Sequence, residues 1–132
     1  MSPHILFVDD EVPVRETLAM FFKMKGIPVT AVGTGAEALQ LVETKRFDLI
    51  ILDLRLASEN GLDVLDRLKQ KHPSVPVVMF TAFGDDDERM NQATARGASG
   101  WFCKGESITN LFNGVQRILK ESSASRVPAA SS

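Results

Sequence analysis

Leu49-Ile50-Ile51-Leu52-Asp53 is an unbroken aliphatic run closed by a carboxylate. Continuous apolar residues without alternation read as a short strand buried on both faces, the pattern of a parallel sheet covered by helices. A carboxylate at the mouth of such a strand is poorly placed for packing and well placed for chemistry. The same arrangement recurs along the chain. Ile5-Leu6-Phe7-Val8 is followed by Asp9 and Asp10, Val77-Val78-Met79-Phe80 by Thr81, and Trp101-Phe102-Cys103 by Lys104. If these runs are parallel strands of one sheet, their polar ends share its carboxyl edge, where ligands of open α/β sheets bind.

Helical patterns separate the runs. Pro13 suits a first helical turn, and Leu18, Phe21 and Phe22 follow at helical spacing up to Gly26. Residues 28–32 read as a second strand. Thr34 with Glu37 forms a capping box before Ala38, Leu41 and Val42. Leu65 and Leu68 mark a third helix that His72-Pro73 breaks. Asp85-Asp86-Asp87-Glu88 places acids at a fourth helix N-terminus. That helix is weakly apolar (Met90, Ala93). Ile108, Leu111, Phe112, Val115, Ile118 and Leu119 give the cleanest helical period. Strands alternating with helices predict βαβ units in a doubly wound α/β fold. The chain divides into a domain over residues 1–121 and a Ser/Ala-rich tail or truncated linker over 122–132 that reads as disordered.

The 132 residues fit one domain, and an apolar fraction of 44% allows a sizeable core. A net charge of −2 argues against direct nucleic-acid binding. The single Cys103 excludes an internal disulfide and reads as a reduced core thiol. No signal peptide is visible before the first strand, and no apolar stretch nears the roughly 20 residues that span a bilayer. A cytoplasmic protein without membrane contact is the expectation. His4 and His72 read as ordinary surface residues.

Asp9, Asp10 and Asp53 form an acidic cluster if the first and third strands are neighbours. Carboxylates sharing a pocket raise one another's pKa unless a cation sits among them. Hard oxygen donors favour Mg²⁺ over zinc. Lys104 adds positive charge and Thr81 a hydroxyl donor. Together they suit an incoming phosphoryl group, with the Asp53 carboxylate as nucleophile forming an acyl phosphate. Taken singly, each residue has a plainer reading: a turn-forming aspartate, a β-branched strand residue, a solvated lysine.

In combination these residues resemble the receiver domain of bacterial two-component response regulators. The likeness rests on Val8-Asp9-Asp10-Glu11, Leu52-Asp53, Gly61, Phe80-Thr81-Ala82, Gly97-Ala98 and Lys104, and covers residues 4–120. It implies a flavodoxin-like five-stranded parallel sheet of order 2-1-3-4-5 with five helices. It also implies that Asp53 is the phosphoacceptor, that Asp10 binds Mg²⁺ (or Mn²⁺) directly and Asp9 largely through water, and that Arg55 offers the metal its backbone carbonyl. Thr81, Lys104 and the backbone N–H of Ala82 would hold the phosphoryl group. Thr81 and Trp101 would form the switch, and the fourth helix, fifth strand and fifth helix the output face. The implied partners are a histidine kinase or histidine phosphotransfer protein, an output protein or domain, and a second copy in a homodimer. Such a receiver takes part in a phosphorelay and catalyses its own phosphorylation and dephosphorylation without being a conventional enzyme.

Departures from the family pattern qualify this expectation. Gly105 replaces the usual proline after the lysine, so Lys104–Gly105 is predicted to be trans, because a cis bond before a non-proline costs about 2.5–4 kcal/mol. Trp101 replaces the usual Tyr or Phe, and its N–H needs a partner when buried. It reads equally as an outward anchor for a partner or as an inward-turning switch. Ala57 replaces a common proline, suggesting a looser loop, and the bulky Phe83 is placed to shield an acyl phosphate from water. Two rival functions stand beside the switch. One is a degenerate receiver that binds partners independently of phosphorylation. The other is an aspartyl-phosphate phosphatase, which Arg55 disfavours by standing where a second acid is needed.

Overall fold

The computed structural model describes the backbone of residues 3–56, 59–82 and 87–131. Strands and helices alternate: β1 (Ile5–Val8), α1 (Val12–Met24), β2 (Val29–Val32), α2 (Gly35–Thr44), β3 (Leu49–Leu52), α3 (Gly61–Lys71), β4 (Val77–Thr81), α4 (Asp87–Ala95), β5 (Gly100–Cys103) and α5 (Ile108–Ser131). The strands form one sheet of order β2-β1-β3-β4-β5 with parallel pairing throughout. This is the doubly wound, flavodoxin-like architecture that the sequence leads one to expect.

Side chains of a strand alternate between faces, so each apolar run feeds two cores. Leu6, Val8, Ile50, Leu52, Val77 and Met79 pack with Ala38 and Val42 of α2, Leu65 and Leu68 of α3, and Met90 and Ala93 of α4. Ile5, Phe7, Leu49, Ile51, Val78 and Phe80 face Leu18 and Phe22 of α1 and Leu111, Phe112, Val115 and Ile118 of α5. Burying each of the larger of these side chains stabilises the fold by roughly 1.5–3 kcal/mol. The carboxyl edge therefore sits on a rigid, dry base.

Local signals set the element ends. Thr34 Oγ1 accepts from the Glu37 N–H at 3.1 Å, so Thr34 caps α2 as expected, while Glu37 Oε1 accepts from the Thr34 hydroxyl at 3.1 Å rather than from its backbone N–H as in a full capping box. Asn60 caps α3, its Oδ1 accepting from Leu62 N–H at 3.0 Å. Gly26 and Gly97 follow α1 and α4 with φ of 84° and 105°, a region that side chains disfavour. The C-terminal stretch differs from the irregular tail that its composition suggests: α5 continues to Ser131. Extending a helix already nucleated and packed costs far less than starting one, which a composition-based reading does not capture.

Candidate functional site

The strand order reverses between β1 and β3, and Val8 stands opposite Leu52 in their register. The first residues beyond that pair, Asp9 and Asp53, are therefore carried to one place. Asp53 N–H donates to the Val8 carbonyl at 3.0 Å, and Asp9 N–H to that of Val32 at 3.1 Å. Asp9, Asp10 and Asp53 each present a carboxylate oxygen within 4.8 Å of the others. Asp9 is 0% and Asp53 3% exposed, whereas Asp10 is half-buried.

The opposite wall comes from β4 and β5. Thr81 pairs with Cys103, and Lys104 N–H donates to the Thr81 carbonyl at 2.7 Å. From there Lys104 Nζ reaches Asp53 Oδ2 at 2.9 Å, Asp9 Oδ2 at 2.7 Å and Glu11 Oε2 at 3.0 Å. Gly105 therefore does not hold the lysine away, and the Lys104–Gly105 bond is trans as expected, since no described peptide bond is cis. Thr81 is fully buried at the end of β4, and Ala82 beside it is exposed. Trp101 is 46% exposed and thus stands outward here.

The segment after Asp53 folds back tightly. Arg55 N–H donates to Asp53 Oδ1 at 3.1 Å, and Arg55 pairs with Asn60 in an isolated antiparallel bridge. Gly61 N–H donates to the Leu54 carbonyl at 3.1 Å. A Cβ at Gly61 would collide with the carbonyl oxygens of Leu54 and Asp53, so a side chain would force this loop open. Ala57 and Phe83, to which sequence reasoning attached loop mobility and shielding, lie outside the described residues.

Burial dominates the electrostatics. Desolvation pushes the Asp53 carboxyl up from 3.8 to about 6, against the lowering effect of the Lys104 hydrogen bond and the Arg55 N–H. Asp9 is raised for the same first reason, with Lys104 and the Glu11 N–H pulling the other way. For Lys104 burial alone would lower the pKa, but hydrogen bonds to Asp9, Asp53 and Glu11 outweigh it and the net shift is upward. The ammonium therefore stays charged throughout the ordinary pH range.

Asp9 Oδ2 is fully buried, and the Lys104 ammonium 2.7 Å away is its charge partner. A carboxylate oxygen can accept more than one such partner, and a divalent cation would be a second. With three hard carboxylates converging on the spot, the donor set fits Mg²⁺ or Mn²⁺.

Two contacts at this edge were not singled out from sequence. Glu11, the N-cap of α1, grips Lys104, and Arg15 Nη1 donates to the Asp9 carbonyl at 2.6 Å. A third acid directly after the aspartate pair was visible for Glu11. For Arg15 only its place one turn into α1 was visible, which does not reveal its target.

A parallel sheet with an acidic hollow and a buried lysine at its switch point defines a class: flavodoxin-like α/β proteins whose chemistry occupies the carboxyl edge. Residues 5–116 match the family model of the response regulator receiver domain. The chain belongs to that family, the receivers of two-component systems. It is 32% identical over 129 residues to the transcriptional activator protein PfeR of Pseudomonas aeruginosa, covering 98% of this chain and 42% of that protein. It is 29% identical over 119 residues to sporulation initiation phosphotransferase F of Bacillus subtilis, covering 90% of this chain and 95% of that one. The receiver domain of NtrX from Brucella abortus superposes with a TM-score of 0.83 at 31% identity, covering 88% of this chain and 98% of that structure. The chain spans about half the length of the first curated relatives that it matches. Among the described residues no helix is long and apolar enough to cross a membrane.

Proposed function

We propose that this receiver is a phosphoacceptor switch in which Asp53 takes a phosphoryl group from a histidine kinase or histidine phosphotransfer protein. The observation that carries this reading is the convergence of Lys104 on Asp53 and Asp9 at 2.9 and 2.7 Å in a buried hollow. With its pKa near 6, Asp53 is chiefly a carboxylate at neutral pH and can act as a nucleophile. An Asp53 oxygen attacks the phosphorus of the donor phosphohistidine. The P–O bond of an acyl phosphate forms as the P–N bond breaks, and the electron pair leaves with the imidazole, which takes up a proton. The Lys104 ammonium balances charge on the phosphoryl oxygens, and the Thr81 hydroxyl and Ala82 N–H donate to them. Asp9, Asp10, Asp53 and the Arg55 carbonyl would hold Mg²⁺, which when bound supplies further positive charge to the phosphoryl group.

The signal then leaves through the face of α4, β5 and α5. A new hydrogen bond from Thr81 to the phosphoryl group, present in one state only, gives the differential interaction that a population shift requires. Trp101 lies on that face, where its exposed indole suits contact with an output partner or a second copy. The receiver comprises residues 1–121, and 122–132 form a tail or a truncated linker.

Acetyl phosphate with Mg²⁺, followed by intact-mass measurement, tests the chemistry. A single phosphoryl adduct that alkali and hydroxylamine both remove is expected on the wild type, absent from Asp53→Asn and without added metal. An adduct that persists on Asp53→Asn would overturn the assignment.

A further inference from the structure

Glu59 belongs to the loop that follows Asp53, yet its carboxylate reaches the start of a different helix. Oε1 accepts from Gly35 N–H at 2.6 Å and Oε2 from Ala36 N–H at 3.1 Å. These N–H groups open α2, lack intrahelical partners and carry the positive end of the helix dipole, so an anion is held well there. The approach depends on Gly35. A Cβ at that position would lie 3.0 Å from Glu59 Oε2 and 2.5 Å from Val64 Cγ2.

The same junction has a second tie. A Cβ at Gly33 would come within 3.1 Å of Arg15 Nη1, the nitrogen that donates to the Asp9 carbonyl at 2.6 Å. Residues 33–36 thus lie beside Arg15, which bonds the Asp9 carbonyl, and bind Glu59 of the Asp53 loop directly. At its base the Asp53 loop is closed by the Arg55–Asn60 bridge and the Gly61–Leu54 hydrogen bond. Glu59 anchors its outer limb to a separate element.

We propose that Glu59 is a positioning residue for the divalent cation. By clasping the first turn of α2 it holds the loop carrying the Arg55 carbonyl against the carboxylates of Asp9, Asp10 and Asp53. This rests on the reading of that hollow as a Mg²⁺ site. Glu59 itself touches neither metal nor phosphoryl group. A free loop must be ordered when the cation binds, and that ordering weakens binding.

Calorimetric titration of the full chain with Mg²⁺, comparing wild type, Glu59→Ala and Glu59→Gln, reads this directly. Removing an outer support of this kind is expected to raise the Mg²⁺ Kd about tenfold in Glu59→Ala. Glu59→Gln keeps an acceptor oxygen without the charge and should fall between. In chelator, amide exchange at Arg55 and Asn60 should quicken in Glu59→Ala, while β1 and β3 keep wild-type protection. A merely structural contribution to α2 would move thermal stability without this selective change. Wild-type Mg²⁺ affinity in Glu59→Ala, or unchanged exchange at Arg55 and Asn60, overturns the inference alone. Failure of the wild type to bind Mg²⁺ overturns the reading of the hollow itself.

Discussion

Asp53 is held in a place that disfavours its charge. Burial raises its pKa from 3.8 to about 6, and Lys104 offsets only part of that. Between those values the folded state binds more protons than the unfolded state, so this group's contribution to stability falls as pH rises through the window. Above about pH 6 the penalty for the buried charge is complete; below about pH 4 it is absent because both states are protonated. An amide escapes it. In chelator, Asp53→Asn is expected to be more stable than wild type at about pH 8, by ~1–3 kcal/mol, with the advantage vanishing towards about pH 4. Thermal melts across that range check this, and a pH-independent difference would contradict it. Lys104→Met acts in the opposite sense. It leaves two buried carboxylates without their cation and should cost ~3–5 kcal/mol at neutral pH. Protonating Asp9 and Asp53 should shrink that deficit as pH falls. At this scale the sequence was most readable where a residue's role follows from its place at a strand end, as for Asp9, Asp53, Thr81 and Lys104. It was least readable where the role depends on how far a flexible side chain reaches, as for Glu11, Arg15 and Glu59.

At the level of elements, α5 and β5 approach closely where Gly114 faces Phe102. A Cβ at Gly114 would overlap the Phe102 ring, so a glycine on α5 lets the helix seat against the strand that carries Lys104. Gly114→Ala is expected to destabilise by ~1–3 kcal/mol despite the better helix propensity of alanine, because overpacking outweighs it. Denaturant titration measures the loss, and Phe102→Leu in the same chain should recover part of it. No recovery would mean that Phe102 is not the obstacle. Strands β1, β3 and β4 were legible because burial on both faces leaves an uninterrupted apolar run. The C-terminal reach of α5 was not, since Ser and Ala are as common in linkers as on helix surfaces. The Gly114–Phe102 fit was not legible either, because helix period gives a face but not the depth at which the facing strand lies.

Across the whole molecule, the acidic hollow joins parts of the chain far apart in sequence, from the ends of β1, β3 and β5. A cation bound there stabilises the folded state alone, by RT ln(1 + [Mg²⁺]/Kd), or about 2.7 kcal/mol at a hundred times the Kd. It also reverses the local pH logic. A nearby divalent charge favours ionised carboxylates, so the Asp53 pKa in the loaded protein falls below its metal-free value. The stabilisation that Mg²⁺ adds should then grow as pH rises from about 4 to 6, because protons must be displaced before the cation binds. In chelator the Asp53 contribution runs downward over that range. Melting temperatures of the wild type with and without Mg²⁺ should therefore diverge as pH increases, and those of Asp10→Asn should stay nearly parallel. Parallel curves for the wild type would mean that the carboxylates of Asp9, Asp10 and Asp53 do not act together on a cation.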